Sequence, residues 1–142
     1  MDWKLEVVVV PVSDVDRAKK FYGEQVGFNV DVDRKVGDNF RVVQLTPPGS
    51  GCSISIGVGL AESAPGSLKG LQLVVTDVEA ARKQLVDRGV DVTEVRHVEQ
   101  DGNWVSGPGG DWNSFIFFDD PDGNSWAVQQ APAIADPRRT AS

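Results

Sequence analysis

The sequence predicts an α+β fold of two tandem βαβββ modules, forming curved mixed sheets around a concave cup. Three observations carry that reading. The first is an internal repeat: Val12-Ser13-Asp14-Val15-Asp16-Arg17-Ala18-Lys19-Lys20 is echoed by Val75-Thr76-Asp77-Val78-Glu79-Ala80-Ala81-Arg82-Lys83, and after a short slip the match continues through Gly27/Gly89 and Val30/Val92. A repeat of this length in a small chain marks two copies of one supersecondary unit. The second is that each copy follows a run of valines and leucines, as a buried strand leading into a helix does. The third is the order after each copy, one amphipathic helix followed by strand-like stretches separated by turn residues. One such unit leaves a curved sheet with an uncovered concave face, and two units together bury or enclose it.

The elements follow in chain order. Trp3 to Pro11 holds Val7-Val8-Val9-Val10, a β-branched run suited to a central strand covered on both faces. Ser13, and Thr76 in the second copy, offer an N-capping oxygen, and Asp16 and Glu79 suit the positive end of the helix that follows. From Asp14 to Gln25 the pattern is amphipathic, with Val15, Ala18, Phe21 and Tyr22 on one face and Arg17, Lys19, Lys20 and Glu24 outside. Gly27 stops this helix. Phe28 to Asp33 alternates as a half-exposed strand, and Gly37-Asp38-Asn39 turns the chain into a strand from Phe40 to Thr46. After Pro47-Pro48-Gly49-Ser50-Gly51 comes Cys52 to Gly59. Its Ile54, Ile56 and Val58 should meet a helix, while Ser53, Ser55 and Gly57 look towards a cavity or water.

Residues 1–60 thus form the first module, 61–69 a linker centred on Pro65-Gly66-Ser67, and 70–130 the second module. The second holds strand Leu71 to Val75, a helix from Asp77 to Arg88 and a strand from Val90 to His97. A Gly-rich loop, Glu99 to Asp111, contains Trp104 and ends near Trp112. Strands around Asn113 to Phe118 and Ser125 to Gln129 follow, joined by the turn Asp119-Asp120-Pro121-Asp122-Gly123-Asn124. Residues 131–142 lack periodicity and read as a flexible tail.

Bulk properties narrow the function. The chain has 142 residues, 40% hydrophobic and 25% charged, an ordinary composition for a soluble globular protein. A formal net charge of -7 argues against binding to phosphate backbones or anionic membranes. No apolar run approaches the roughly 20 residues of a membrane span, and the start carries no signal-peptide pattern. A cytoplasmic protein is therefore expected, with its one cysteine, Cys52, as a small buried residue.

The chain resembles the vicinal oxygen chelate superfamily, which includes glyoxalase I, bleomycin-resistance proteins and extradiol dioxygenases. The marks are Pro11-Val12-Ser13-Asp14-Val15 with Arg17-Ala18 and Phe21-Tyr22, then Gly27-Phe28. Near the end, Phe118-Asp119-Asp120-Pro121-Asp122-Gly123-Asn124 is similar to the family's terminal turn. The resemblance spans Lys4 to Gln130 and implies the glyoxalase/bleomycin-resistance fold. Enzymes of the superfamily chelate a divalent metal on four cup-facing strands. Those positions fall here on Val7, on Ser55 (or Ser53 in a slipped register), on Gly70 and on Ala127. Valine, alanine and glycine offer no side-chain donor and serine is a poor one, so no metal site and no cofactor are expected.

Strand parity then gives the cup's lining. Val9, Gln72, Val74, Ser53, Gly57, Ser125 and Gln129 should face the same way as Val7, Ser55, Gly70 and Ala127. That inventory suits a neutral pocket for an organic molecule, although such small residues would equally let two sheets pack. Trp104 and Trp112 flank Gly107-Pro108-Gly109-Gly110 and are candidates to stack on a flat aromatic ligand, with Phe40 and Phe115 as further walls. Trp126 should be core. His97, the single histidine, lies near Glu99 and Asp101 and is the one candidate for proton transfer. The ligand-binding set expected from sequence is Trp104, Trp112, Phe40, Val7, Ser53, Ser55, Gln72, His97 and Ala127.

Three functions fit. The first is a metal-free binding protein of the bleomycin-resistance type, sequestering a small organic molecule such as an aromatic antibiotic or metabolite. The second is a metal-free enzyme using His97 with Glu99 or Asp101, and the third a domain without a ligand. Misassigned metal positions would restore a metal-dependent glyoxalase or dioxygenase. Resemblance to the resistance branch also implies a homodimer.

Overall fold

Two mixed sheets organise the chain in the computed structural model, which describes residues 1–132. The first is a four-stranded sheet of β1 (Val7–Val9), β2 (Asn29–Val36), β3 (Phe40–Thr46) and β4 (Ser53–Val58), in the order β1-β4-β3-β2. The second is a five-stranded sheet of β5 (Leu71–Val75), β6 (Arg96–Val98), β7 (Trp104–Ser106), β8 (Phe115–Asp119) and β9 (Ser125–Gln130), in the order β5-β9-β8-β6-β7. Each sheet pairs its first and last strands in parallel, β1 with β4 and β5 with β9, as a βα crossover requires. The fold is the predicted α+β pair of repeated units. One compact unit comprises 1–69 with 119–125, and the other 70–118 with the described residues from 126 onward.

In the first unit the buried face of the sheet is aliphatic. Val43, Leu45, Ile54 and Ile56 are buried, as are Val15, Ala18, Phe21 and Tyr22 of the helical segment, in line with its amphipathic pattern. The helix differs in two details. Asp14, and not Ser13, caps α1 (Val15–Lys20), its carboxylate accepting from the Arg17 amide; Asp77, and not Thr76, does the same for Ala80 in α2 (Val78–Asp87). Either residue type caps well, and here Ser13 is drawn away to Asp122. After Lys20 the helix widens into a π-helical turn, Phe21–Val26, which Gly27 ends at φ 94°.

Strand β1 is an edge of its sheet, and Val7 and Val9 are exposed, against the expectation of a central strand covered on both faces. A β-branched run signals strand, and its cover depends on what lies opposite. Cys52 is half-buried, not buried. No helix among the described residues is long and apolar enough to cross a membrane. The loose tail expected from Ala131 onward falls mostly on 133–142, outside the described residues. Ala131 itself is buried, with its amide bonded to the Val75 carbonyl.

The turn after β8 packs into the first unit, and a buried carboxylate explains how. Asp120 Oδ1 accepts from the amides of Asp122 and Asn124, both at 2.9 Å, and Oδ2 accepts from Tyr22 Oη and Asn124 Nδ2, both at 2.7 Å. Asn124 also donates to the Pro11 carbonyl and accepts from the Leu68 amide. Gly66 presses so close that a Cβ there would lie 2.0 Å from the Asp122 carbonyl oxygen, and its φ of 80° favours glycine as well.

An ion network holds the exposed β2 to its neighbours. Arg41 on β3 forks onto Asp33 at 3.0 and 3.1 Å and reaches Asp16 at 2.8 Å, while Lys19 reaches Asp33 at 2.8 Å. Hydrogen bonds from Arg41 and then Lys19 hold the Asp33 carboxyl at about 2, below its usual 3.8. A depressed acid stabilises the fold above its unfolded value, and that contribution is lost as pH falls from about 4 to about 2. Solvent screening at this partly open site reduces it to about 1 kcal/mol. Urea unfolding near pH 5 and near pH 2.5 should therefore show Asp33→Asn losing about 1 kcal/mol less than the parent on acidification. An equal loss would mean that the network is energetically idle.

Candidate functional site

Each sheet has one face that its own helix does not cover, and those faces carry the expected lining. In the first sheet, register sets the sides. Val7 lies opposite Ser53 and Val9 opposite Ser55, and Ser55 pairs in turn with Gln44 and Gly57 with Val42. These residues therefore share the open face. Ser53 and Ser55 are buried, because their short side chains lie on the floor between longer neighbours, and Ser53 Oγ bonds Thr46 Oγ1 at 2.6 Å. Val32 and Val36 on β2 add exposed aliphatic groups. Phe40, at the start of β3, pairs with Val36 and lines a cleft of about 320 Å³ with Asp14, Asp16, Lys35, Arg41 and Val58, which lies on the α1 side of the sheet and not on the open face.

The second sheet carries the more distinctive face. Ile116, Phe118, Trp126 and Val128 are buried on one side, where Phe118 and Trp126 stack at 6.0 Å, so Trp126 is core as predicted. The alternate residues Phe115, Phe117, Ala127 and Gln129 consequently share the open side. Trp104 stands edge-on to both Phe115 and Phe117 at 5.3 Å, and the two phenylalanine rings lie parallel at 6.1 Å. Trp104 is 48% exposed, which leaves much of the indole available. Beyond this aromatic wall, Gln72 pairs with Ala127 and Val74 with Gln129. Gln72 Nε2 donates to Gln129 Oε1 at 2.6 Å, and Gln129 Nε2 donates to the Trp112 carbonyl at 2.8 Å. One open face thus joins three aromatic rings to two side-chain amides.

The loop expected between Glu99 and Asp111 is partly a hairpin. Strand β7 pairs with β6, matching Arg96 to Ser106, His97 to Val105 and Val98 to Trp104. The strand expected from Val90 to His97 is shorter, with only a bridge from Val92 to Phe118 before β6 begins at Arg96. Because Arg96 also pairs with Phe115, residues Arg96, Val98 and Trp104 lie on the aromatic side and His97 on the other. This corrects the expectation of His97 in the pocket. Its ring is held by the Gly107 carbonyl at Nδ1, 2.8 Å, and by Glu99 at Nε2, 3.1 Å. These two acceptors raise its pKa, the Gly107 carbonyl contributing most. Such a ring clamps the hairpin base. Gly109 packs against it so closely that a Cβ there would lie 2.8 Å from the His97 Cβ. Asp101 turns to Asn103 instead. Phe117 belongs to the site and was not singled out from sequence, since a Phe-Ile-Phe-Phe run hides which rings share a face.

At the positions where a chelated metal would be expected, the first unit presents the aliphatic Val7 and the hydroxyl of Ser55. The second presents Gly70 and the methyl of Ala127. This donor set does not fit a divalent cation. Among the described residues, no group of three or more His, Cys, Asp or Glu side chains is placed to hold a metal ion.

Comparison with known proteins agrees with the fold. The family model of the Glyoxalase/Bleomycin resistance protein/Dioxygenase superfamily matches residues 4–128. TnmS3, an antibiotic binding protein from Streptomyces sp. CB03234, is 34% identical, with 92% of this chain and 97% of that one covered at a TM-score of 0.73. A glyoxalase/bleomycin resistance protein from the same Streptomyces strain is 35% identical, covering 89% of this chain and 100% of that one, TM-score 0.70. A superfamily member from Sphaerobacter thermophilus DSM 20745 is 27% identical, covering 91% and 98%, TM-score 0.70. No curated protein matches the chain.

Proposed function

Because the chain belongs to the Glyoxalase/Bleomycin resistance protein/Dioxygenase superfamily, we propose that it is a metal-independent member that binds and sequesters a small, flat organic molecule, an aromatic antibiotic or metabolite. The observation that carries this reading is the wall of Trp104, Phe115 and Phe117 beside the amides of Gln72 and Gln129. Parallel rings met by an edge-on indole suit a planar aromatic guest, and a few placed amides fix its orientation. The similarity to TnmS3, an antibiotic binding protein, supports the same direction. Val7, Ser55, Gly70 and Ala127 replace the donors that metal chemistry requires, and His97 lies on the far side of its sheet from the wall. A proton-transfer enzyme using His97 is therefore not favoured.

The working form is proposed to be a homodimer. Exposed Val7, Val9, Val32 and Val36 on the open face of the first sheet, with Trp3 and Leu5 ahead of β1, give a second copy apolar surface to cover.

Native mass spectrometry of the protein purified without added metal tests both statements. The expected result is a metal-free dimer that carries or takes up one organic molecule per subunit. A stoichiometric divalent ion would overturn the metal-independent reading, and a monomer would overturn the assembly.

A further inference from the structure

The two glutamines on the open face of the second sheet are chained in one direction, and the direction is forced. The Trp112 carbonyl can only accept a hydrogen bond, so Gln129 must turn its Nε2 towards it, at 2.8 Å. Oε1 of Gln129 then points at Gln72, which must answer with its own Nε2, at 2.6 Å. Flipping either amide would set oxygen against oxygen or N–H against N–H. The last group in the chain, Gln72 Oε1, receives no hydrogen bond among the described residues.

The anchor is held in an unusual conformation. Trp112 is the one non-glycine residue with positive φ, 61°, among the described residues. A bulky side chain there costs about 1 kcal/mol or more and persists where surrounding contacts overrule it. The contacts are visible next door. The Asn113 side chain pairs with both the amide and the carbonyl of Val98 at 2.9 Å, and its own amide donates to the Gly110 carbonyl at 3.1 Å. The strained residue aims a carbonyl at the site.

We propose that Gln72 and Gln129 form a polarised amide relay, anchored on Trp112, that displays Gln72 Oε1 as an acceptor and selects flat aromatic ligands bearing a hydrogen-bond donor, such as a phenol or an aryl N–H. The proposal rests on the binding function given above. The dimensions suit it: β5 and β8 flank β9, so Gln72 and the phenylalanine strand stand about 10 Å apart, with the Ala127 methyl as the floor between them. A fused bicyclic ring lying on Ala127 reaches the wall with one edge and turns a hydroxyl towards Gln72 with the other.

Isothermal titration of the intact protein with 2-naphthol and with 2-methoxynaphthalene separates the possibilities, since the ether keeps the ring and the acceptor oxygen and loses only the donor. The parent should bind the naphthol about five- to tenfold more tightly, the effect of one net hydrogen bond. Gln72→Leu should abolish the preference, bringing the ratio of the two probes' affinities close to one. Equal binding of both probes by the parent, or a preference retained in Gln72→Leu, would overturn the relay while leaving aromatic binding intact. Binding of neither probe by the parent would overturn the relay and the binding function together.

Discussion

Replacing Asp120 with alanine will remove about 3–5 kcal/mol of folding stability, a large part of what a domain of this size possesses. The reason is the number of donors that one carboxylate serves in a buried place. Both of its oxygens accept two hydrogen bonds, from the amides of Asp122 and Asn124 and from Tyr22 Oη and Asn124 Nδ2. Asp120 is only 4% exposed and Asn124 not at all. Truncation leaves these donors facing an apolar methyl without water, and each such group costs about 1–3 kcal/mol before relaxation. Asp120→Asn keeps the shape but turns an N–H towards one pair of donors, so an intermediate loss is expected. The neighbouring Asp119, exposed at the end of β8, is the control, and its alanine variant should stay within about 0.5 kcal/mol of the parent. Urea unfolding followed by tryptophan fluorescence measures all three. A loss below about 1 kcal/mol for Asp120→Ala would show that the turn is held by packing alone.

That turn also shows how far the sequence could be read. Asp119 to Asn124 was legible as a turn from its Pro-Asp-Gly-Asn composition, and as a family feature from its likeness to known turns. Alternation from Ile116 and Phe118 sets Asp120 on the buried side and Asp119 outside, but that Tyr22 meets the Asp120 carboxylate depends on residues far away in the chain. The repeat gave the two-unit architecture, since it reports local capping and patterning that each copy satisfies by itself. The family resemblance put Val7, Ser55 and Ala127 on the open faces and strand parity extended that set to Gln72, because those strands are regular and a count of two survives along them. His97 could not be given a side from the sequence, because the chain from Asp91 to Val95 makes only a single bridge and no regular strand carries a count of two to it. Strand β7 was hidden for a related reason: three residues between glycine-rich turns are too few to show alternation.

The aromatic face makes the sharpest functional prediction. Trp104→Ala will weaken binding of a flat aromatic ligand such as 2-naphthol by about thirtyfold, or about 2 kcal/mol, the scale of an aromatic hot spot. The indole is suited to this role because its two roles are separable. Towards the protein it makes edge-on contacts with Phe115 and Phe117, worth about 0.5–1.5 kcal/mol each. Towards solvent it remains about half exposed. Its loss should therefore lower stability by only about 1–2 kcal/mol, since Ile116, Phe118, Trp126 and Val128 form the core on the opposite side of the sheet. Trp104→Phe keeps an aromatic edge and should recover much of the affinity. Phe117→Leu should weaken binding as well, by removing one of the two parallel rings. Tryptophan fluorescence titration of the parent and these variants, with circular dichroism as the check on folding, measures the series. Unchanged affinity in a folded Trp104→Ala protein would move the ligand away from this face and leave the exposed indole without a binding role.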